Sequence, residues 1–82
     1  MRVTVKLFAS YKDKAGRSEI QMELPAGATV ASATSEVLRL FPKVTGDASR
    51  LMVAVNEVYQ EHDFRLSEGD EVALIPPVSG GA

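Results

Sequence analysis

Two adjacent glycines near the C-terminal end, Gly80 and Gly81, are the residues of this sequence best suited to chemistry. Glycine has no Cβ, so its carbonyl is open to attack from both sides and its backbone fits a slot that any other residue would block. Pro76 and Pro77 stand before them and fix φ, which stiffens the chain as it leaves the preceding segment. The pattern predicts that residues 76–82 form a flexible tail presenting an acyl terminus to another protein's active site; the alternative is a frayed end without a function.

The other residues that could do chemistry lack partners at useful spacing. His62 is the only histidine and has only Asp63 beside it, so we expect a solvated loop histidine and no metal site. No glycine-rich loop precedes a helix, which argues against a phosphate-binding motif in this chain. The acidic residues of the C-terminal half predict a solvated surface or, alternatively, contacts for a basic partner: Glu57, Glu61, Asp63, Glu68, Asp70 and Glu71.

Composition limits the class of protein. The 82 residues suffice for one small domain, with 45% apolar and 24% charged residues as in ordinary globular proteins. A net charge of −2 argues against nucleic acid or an anionic membrane as partner. There is no cysteine, hence no disulfide, thiol nucleophile or thiolate metal site. The charged, alternating start does not read as a signal peptide, so we expect a cytoplasmic protein.

Alternation and helical spacing predict the elements of the first half. Val3, Val5 and Leu7 alternate with polar residues in a first strand, and residues 18–24 alternate in the same way, so the two predict a hairpin. The connection, residues 9–18, reads as a loop. Apolar residues at helical spacing then predict a helix with Thr29 as its N-cap and a stop before Pro42: Val30, Ala33, Val37, Leu38, Leu40 and Phe41.

The second half predicts three more strands, at residues 51–55, 58–60 and 71–75. The turn between the first two contains Asn56 and Glu57 where a tight turn favours glycine, so we expect a longer or bulged turn. One helix must cover one face of a single sheet, with the first and last strands side by side. The order predicts an α+β domain over residues 1–75, a β-grasp (ubiquitin-like) mixed sheet of four to five strands on one main helix.

Three apolar residues interrupt the alternation. Phe8 has the parity of the polar residues of the first strand, so it belongs to the sheet face turned away from the helix. Ile75 has the parity of Ala73 if no bulge intervenes, and Tyr59 sits between Val58 and Gln60 near the hairpin. If they meet near the root of the tail, they form an apolar patch of the kind that marks a protein interface. Single exposed apolar residues are common, so convergence with the tail is what favours an interface.

Four motifs carry a resemblance that covers the whole chain: "VKLFA", "PAGATV", "VAVN" and "GDEVALIPPVSGG". The chain resembles the MoaD/ThiS family of ubiquitin-like sulfur carriers, and the last motif is the specific one. It is similar to the molybdopterin branch of that family, the small subunits of molybdopterin synthase.

The resemblance implies a sulfur carrier that is not itself an enzyme and binds no cofactor. An E1-like (MoeB-like) enzyme would use ATP and magnesium to adenylate the carboxylate of Gly81, with Gly80 giving clearance. Sulfur would replace AMP, and the thiocarboxylate would pass sulfur to a pyranopterin precursor in the large, MoaE-like subunit. The resemblance also implies the partner interface: Phe8, Tyr59, Ile75, Pro76, Pro77, Val78 and Ser79.

Ala82 departs from the family pattern, which ends at the second glycine. We expect a precursor from which a peptidase removes Ala82; a cloning remnant or activation at Ala82 itself are the alternatives. Two rival functions have the same fold and tail. One is a protein modifier or a carrier for tRNA thiolation, thiamine or amino-acid synthesis, and the other is an inert β-grasp binding module.

Overall fold

A computed structural model describes residues 1–45 and 51–76. Its strands are β1 (Arg2–Leu7), β2 (Glu19–Glu23), β3 (Met52–Val55), β4 (Val58–Tyr59) and β5 (Glu71–Ile75), and its helices are α1 (Ala9–Ala15) and α2 (Val30–Leu40). The strands form one sheet in the order β2-β1-β5-β3-β4. β1 pairs with β5 in parallel and the other neighbours are antiparallel, so the predicted mixed sheet with adjacent first and last strands is confirmed.

The core lies between α2 and one face of the sheet. Alternate residues of β1 and β5 point to this face, and Val3, Val5, Val72 and Leu74 have no exposed surface. The helix side of the core is formed by its buried stripe, Val30, Ala33, Thr34 and Val37. The predicted half-buried strands and amphipathic helix are therefore both confirmed.

The predicted boundaries of α2 are confirmed. The amide of Ser32 donates to Thr29 Oγ1 at 3.4 Å, and the amide of Thr29 donates to Ser32 Oγ at 3.0 Å, which makes a capping box. The helix ends at Leu40, and Phe41 caps it before Pro42. The prediction that Leu40 belongs to the apolar stripe is wrong, because Leu40 is 45% exposed and Phe41 packs against the core in its place.

The connection between β1 and β2 is a helix, so the prediction of a loop for residues 9–18 is wrong. α1 has seven residues and ends at Gly16, whose φ of 77° lets its amide donate to the carbonyl of Lys12 at 2.9 Å. Tyr11 is 5% exposed and belongs to the core. The burial of this ring orders a segment whose own helical signal is short.

The hairpin between β3 and β4 turns in two residues, so the prediction of a longer or bulged turn is wrong. Val55 pairs with Val58, and both Asn56 and Glu57 have positive φ, 50° and 73°. These are the dihedrals of a type I′ turn. Two contacts fix Asn56 there: its Nδ2 donates to Asp70 Oδ1 at 2.9 Å, and its Oδ1 accepts the amide of Glu71 at 3.0 Å.

Replacing Glu57 with glycine is expected to stabilise the domain by about 1 kcal/mol. A side chain in the left-handed region costs roughly 1–2 kcal/mol, and glycine avoids most of that cost. Urea unfolding measures the change, with Glu57→Ala as the matched control because alanine keeps the strained Cβ. An unfolding free energy for Glu57→Gly no higher than that of Glu57→Ala would contradict the assignment of strain.

Candidate functional site

The sheet face turned away from α2 is divided into two halves of different character. Along β3, β4 and β5, and at Phe8 just past the end of β1, lies a surface that we call the apolar half-face, which consists of Phe8, Met52, Ala54, Tyr59, Ala73 and Ile75. On the side of β1 and β2 the same face carries alternating polar residues, Arg2, Thr4, Lys6, Glu19, Gln21 and Glu23.

Strand register brings the members of the apolar half-face together. Ala73 pairs with Ala54, and Ala54 pairs with Tyr59, so these three share one row across the strands. Ile75 pairs with Met52 in the next row. Phe8 continues β1 in extended conformation, with φ −127° and ψ 157°, and stands one step beyond the pair of Leu7 and Leu74, level with Ile75.

The large members of this surface are in contact with solvent. Phe8 is 46% exposed, Met52 47% and Tyr59 61%, whereas Ile75 is half-buried. A set of neighbouring exposed apolar side chains on one face favours a protein interface over isolated exposure. The predicted interface residues Phe8, Tyr59 and Ile75 therefore share one surface, and their contact with a partner stays a prediction.

Met52 was not predicted from the sequence to lie on this exposed face. It occupies the row of Ile75 and is as exposed as Phe8. The signal was available, because Met52 precedes Val53 and so has the parity of Ala54, opposite to the buried Val53 and Val55.

Several polar side chains of this half of the face are paired with each other or with β5. Arg2 forms an ion pair with Glu23 at 2.9 Å, and Thr4 Oγ1 donates to Gln21 Oε1 at 3.2 Å. At the boundary with the apolar half-face, Lys6 Nζ lies 3.3 Å from a carboxylate oxygen of Glu71. A partner that buries apolar area would gain little by covering these solvated pairs.

The tail begins beside the apolar half-face. Ile75 ends the central strand β5, and Pro76, which is half-buried, is the last described residue. The remaining predicted site residues lie outside the described residues: Pro77, Val78, Ser79, Gly80, Gly81 and Ala82. The predicted division into a domain of residues 1–75 and a flexible tail of residues 76–82 remains a prediction for the same reason.

The start of α2 offers no free amides for an anion. The amide of Val30 donates to the carbonyl of Phe64 at 3.0 Å, and that of Ala31 to the carbonyl of His62 at 2.9 Å. The amide of Ser32 is used by the capping box. This first turn therefore binds its own chain and leaves nothing to hold a phosphate group.

His62 lies in a turn, as predicted, but the prediction that it is solvated is wrong. His62 is half-buried, and its Nε2 lies within hydrogen-bond distance of the carbonyl oxygen of Leu51, at 3.2 Å. This contact lies just before the start of β3. Within residues 1–45 and 51–76, no group of three or more histidine, aspartate or glutamate side chains is arranged to hold a metal ion.

The described groups whose pKa is shifted do not belong to the apolar half-face. Burial raises the pKa of Tyr11, and a hydrogen bond from Arg39 lowers the pKa of Glu36 on the solvent side of α2. In the described part of the chain, neither helix has the length and apolar character needed to cross a bilayer. What the described residues show is an exposed apolar surface beside the end of β5.

Residues 5–81 match the profile of the ThiS family. The chain belongs to the ThiS family. Among curated ThiS-like proteins, it is 31% identical to the molybdopterin synthase sulfur carrier subunit of Arabidopsis thaliana, over 99% of this chain and 84% of the relative. The resemblance drawn from the sequence motifs is thereby confirmed, and the relative named is a carrier subunit of a synthase.

Solved structures of family members share the fold. A molybdopterin converting factor subunit 1 of Pyrococcus furiosus is 34% identical with a TM-score of 0.83, covering 95% of this chain and 99% of that one. SAMP1 of Haloferax volcanii is 30% identical with a TM-score of 0.86, covering 99% and 100%. A chain in the complex of subunits 1 and 2 of the molybdopterin-converting factor of Helicobacter pylori is 21% identical, with a TM-score of 0.69 and coverage of 99% and 100%, and shares the fold. The β-grasp prediction is confirmed.

Proposed function

We propose that this chain is a sulfur carrier of molybdopterin synthesis. The observation that supports it most directly is the exposed apolar half-face at the root of a Gly-Gly tail, in a chain of the ThiS family. The named relative is a molybdopterin synthase sulfur carrier subunit, and the Helicobacter neighbour is a complex of two subunits. These likenesses support a division of labour in this chain, in which the domain docks on a larger subunit and the tail carries the sulfur.

The reacting group is the carboxylate of Gly81. One of its oxygens attacks the α-phosphorus of ATP bound with magnesium in an E1-like enzyme, and pyrophosphate leaves. A sulfur nucleophile then displaces AMP from the acyl carbon, leaving a thiocarboxylate. In the large, MoaE-like subunit the thiocarboxylate sulfur bonds to a carbon of a pyranopterin precursor in place of an oxygen substituent there. Water then hydrolyses the resulting thioester, so the sulfur stays on the precursor and Gly81 returns to a carboxylate.

Gly81 can react in this way only when its carboxylate is free. In the sequence given, Gly81 is joined to Ala82 through a peptide bond, which is far less nucleophilic than a carboxylate. We therefore propose that a peptidase hydrolyses this bond before activation. Pro76–Ser79 would span the distance from the docking surface to the partner's active site, and Gly80 would allow passage through its entrance.

The experiment compares two forms of the chain, one ending at Gly81 and one at Ala82. Each is mixed with the adenylating enzyme of the same organism, ATP, magnesium and a sulfide source, and intact mass is measured. The form ending at Gly81 should gain the mass difference between one sulfur and one oxygen atom, and the form ending at Ala82 should not. No gain on either form contradicts the proposal, and a gain on the Ala82 form contradicts the need for cleavage.

The same activated tail could instead be joined to lysines of other proteins. The observation that favours this second function is the similarity to SAMP1 of Haloferax volcanii, whose full name is small archaeal modifier protein 1. An epitope-tagged chain expressed in its own organism distinguishes the two. Covalent conjugates of higher mass that disappear when Gly81 is deleted indicate a modifier, whereas a thiocarboxylate without conjugates indicates a carrier.

A further inference from the structure

A groove opens at the outer edge of β3, beyond the end of β4. Its lining residues are Leu51, Met52, Val53, Tyr59, Gln60, Glu61 and His62. Met52 and Tyr59 also belong to the apolar half-face, so the groove continues the proposed docking surface around the edge of the sheet. A protein that covers the apolar half-face would therefore reach the groove as well.

The walls of the groove are fixed by the fold. β4 has only two residues, and the amide of Gln60 donates to the carbonyl of Val53 at 3.0 Å just past its end. Beyond that point the His62 ring lies within hydrogen-bond distance of the carbonyl oxygen of Leu51. The backbone carbonyl of His62 accepts a hydrogen bond from the amide of Ala31 in α2. A side chain entering this space would meet a preformed surface, which lowers the entropy cost of binding it.

The lining combines an aromatic face with an acid. Tyr59 is 61% exposed, and Glu61 is exposed and forms no ion pair with any described residue. An apolar side chain placed here would cover a carboxylate without neutralising it, which is costly. A guanidinium group suits both walls, because it stacks on aromatic rings and presents paired donors to a carboxylate.

We propose that this groove binds an arginine side chain of the large synthase subunit when that subunit covers the apolar half-face. The guanidinium group would stack on Tyr59 and bond to Glu61, while the aliphatic stem would lie against Met52. This inference rests on the proposed function and adds a determinant of partner orientation to it. The acidic surface predicted from the sequence then has one member, Glu61, that contacts a basic partner.

Dissociation constants with the large synthase subunit of the same organism test the proposal. Glu61→Gln and Tyr59→Leu are each expected to weaken the complex about tenfold. Tyr59→Phe keeps the aromatic face and should bind within about twofold of the wild type. Because both side chains contact one guanidinium group, the Glu61→Gln/Tyr59→Leu double variant should lose less than the product of the two single losses.

The matched control is Glu57→Gln, which removes the same charge from the neighbouring turn, outside this groove. It should bind as the wild type does. Added salt should weaken the wild-type complex more than the Glu61→Gln complex, because only the former keeps the ion pair. A purely structural effect of Glu61→Gln would not change the salt dependence in this way.

The outcomes separate the two proposals. If the wild type binds and Glu61→Gln binds as tightly as Glu57→Gln, the arginine site is wrong and the carrier function is untouched. Equal affinity of Tyr59→Leu and the wild type would also overturn the site. If the wild-type chain does not bind the large subunit at all, the proposed function fails, and the inference fails with it.

Discussion

Replacing Phe8 with aspartate is expected to weaken the complex with the large synthase subunit at least about a hundredfold. Phe8 is 46% exposed and stands level with Ile75 at the root of the tail. An unpaired carboxylate forced into an apolar contact costs about 3 kcal/mol or more. Titration calorimetry with the purified subunits measures the loss, and sulfur transfer from the thiocarboxylated chain should fall in parallel at subsaturating concentrations.

The fold should survive this substitution. Phe8 is the N-cap residue of α1, where aspartate is among the favoured residues because its side chain accepts amides of the first turn. Gln21→Asp is the matched control, since Gln21 lies on the polar half of the same sheet face. An affinity of Phe8→Asp close to that of Gln21→Asp would show that the apolar half-face is not the docking surface.

Replacing Tyr11 with alanine is expected to destabilise the domain by about 3–5 kcal/mol, as truncation of a buried aromatic ring does. That loss is a large part of the roughly 5–15 kcal/mol that holds a small domain folded. Tyr11 is 5% exposed and is the buried residue of α1, so the cavity would also release the helix from the sheet. Thermal and urea unfolding measure the change.

Tyr11→Phe is the control for the ring, because it keeps the buried apolar atoms, and it should cost less than about 1 kcal/mol.

Burial raises the pKa of Tyr11 in the folded state above its ordinary value near 10. The neutral phenol is therefore the form that the fold favours. The stability that comes from burying the neutral phenol is complete below the ordinary tyrosine pKa, near 10, and is lost as the pH rises through the folded-state pKa. The Tyr11→Phe variant should not show this loss.

Most of the sheet could be predicted because alternation is a direct consequence of strand geometry. Val3, Val5 and Leu7 alternate with polar residues over a whole strand, so their burial follows from one rule. The same rule placed Phe8 on the sheet face turned away from α2, because Phe8 has the parity of the polar residues of β1. Met52 obeys it equally, and only the apolar appearance of the whole β3 segment obscured its parity.

The features that the sequence did not reveal depend on tertiary contacts. α1 has seven residues, too few for a helical period to stand out, and a single buried ring supports it. The tight turn at Asn56 and Glu57 contradicts local preference because Asp70 and Glu71 hold Asn56 from another strand. The short β4 could be predicted to within one residue, but the groove beside Tyr59 is lined by residues of separate segments, which no local pattern brings together.

The central position of β5 has a consequence for synthesis of the protein on the ribosome. β5 lies between β1 and β3 in the sheet but follows both of them along the chain, so it leaves the exit tunnel after both of its neighbours. Until then the β1–β2 and β3–β4 hairpins have no strand to join them. Nascent chains that stall before β5 cannot complete the core, so only molecules whose translation has passed this strand can display a docking surface.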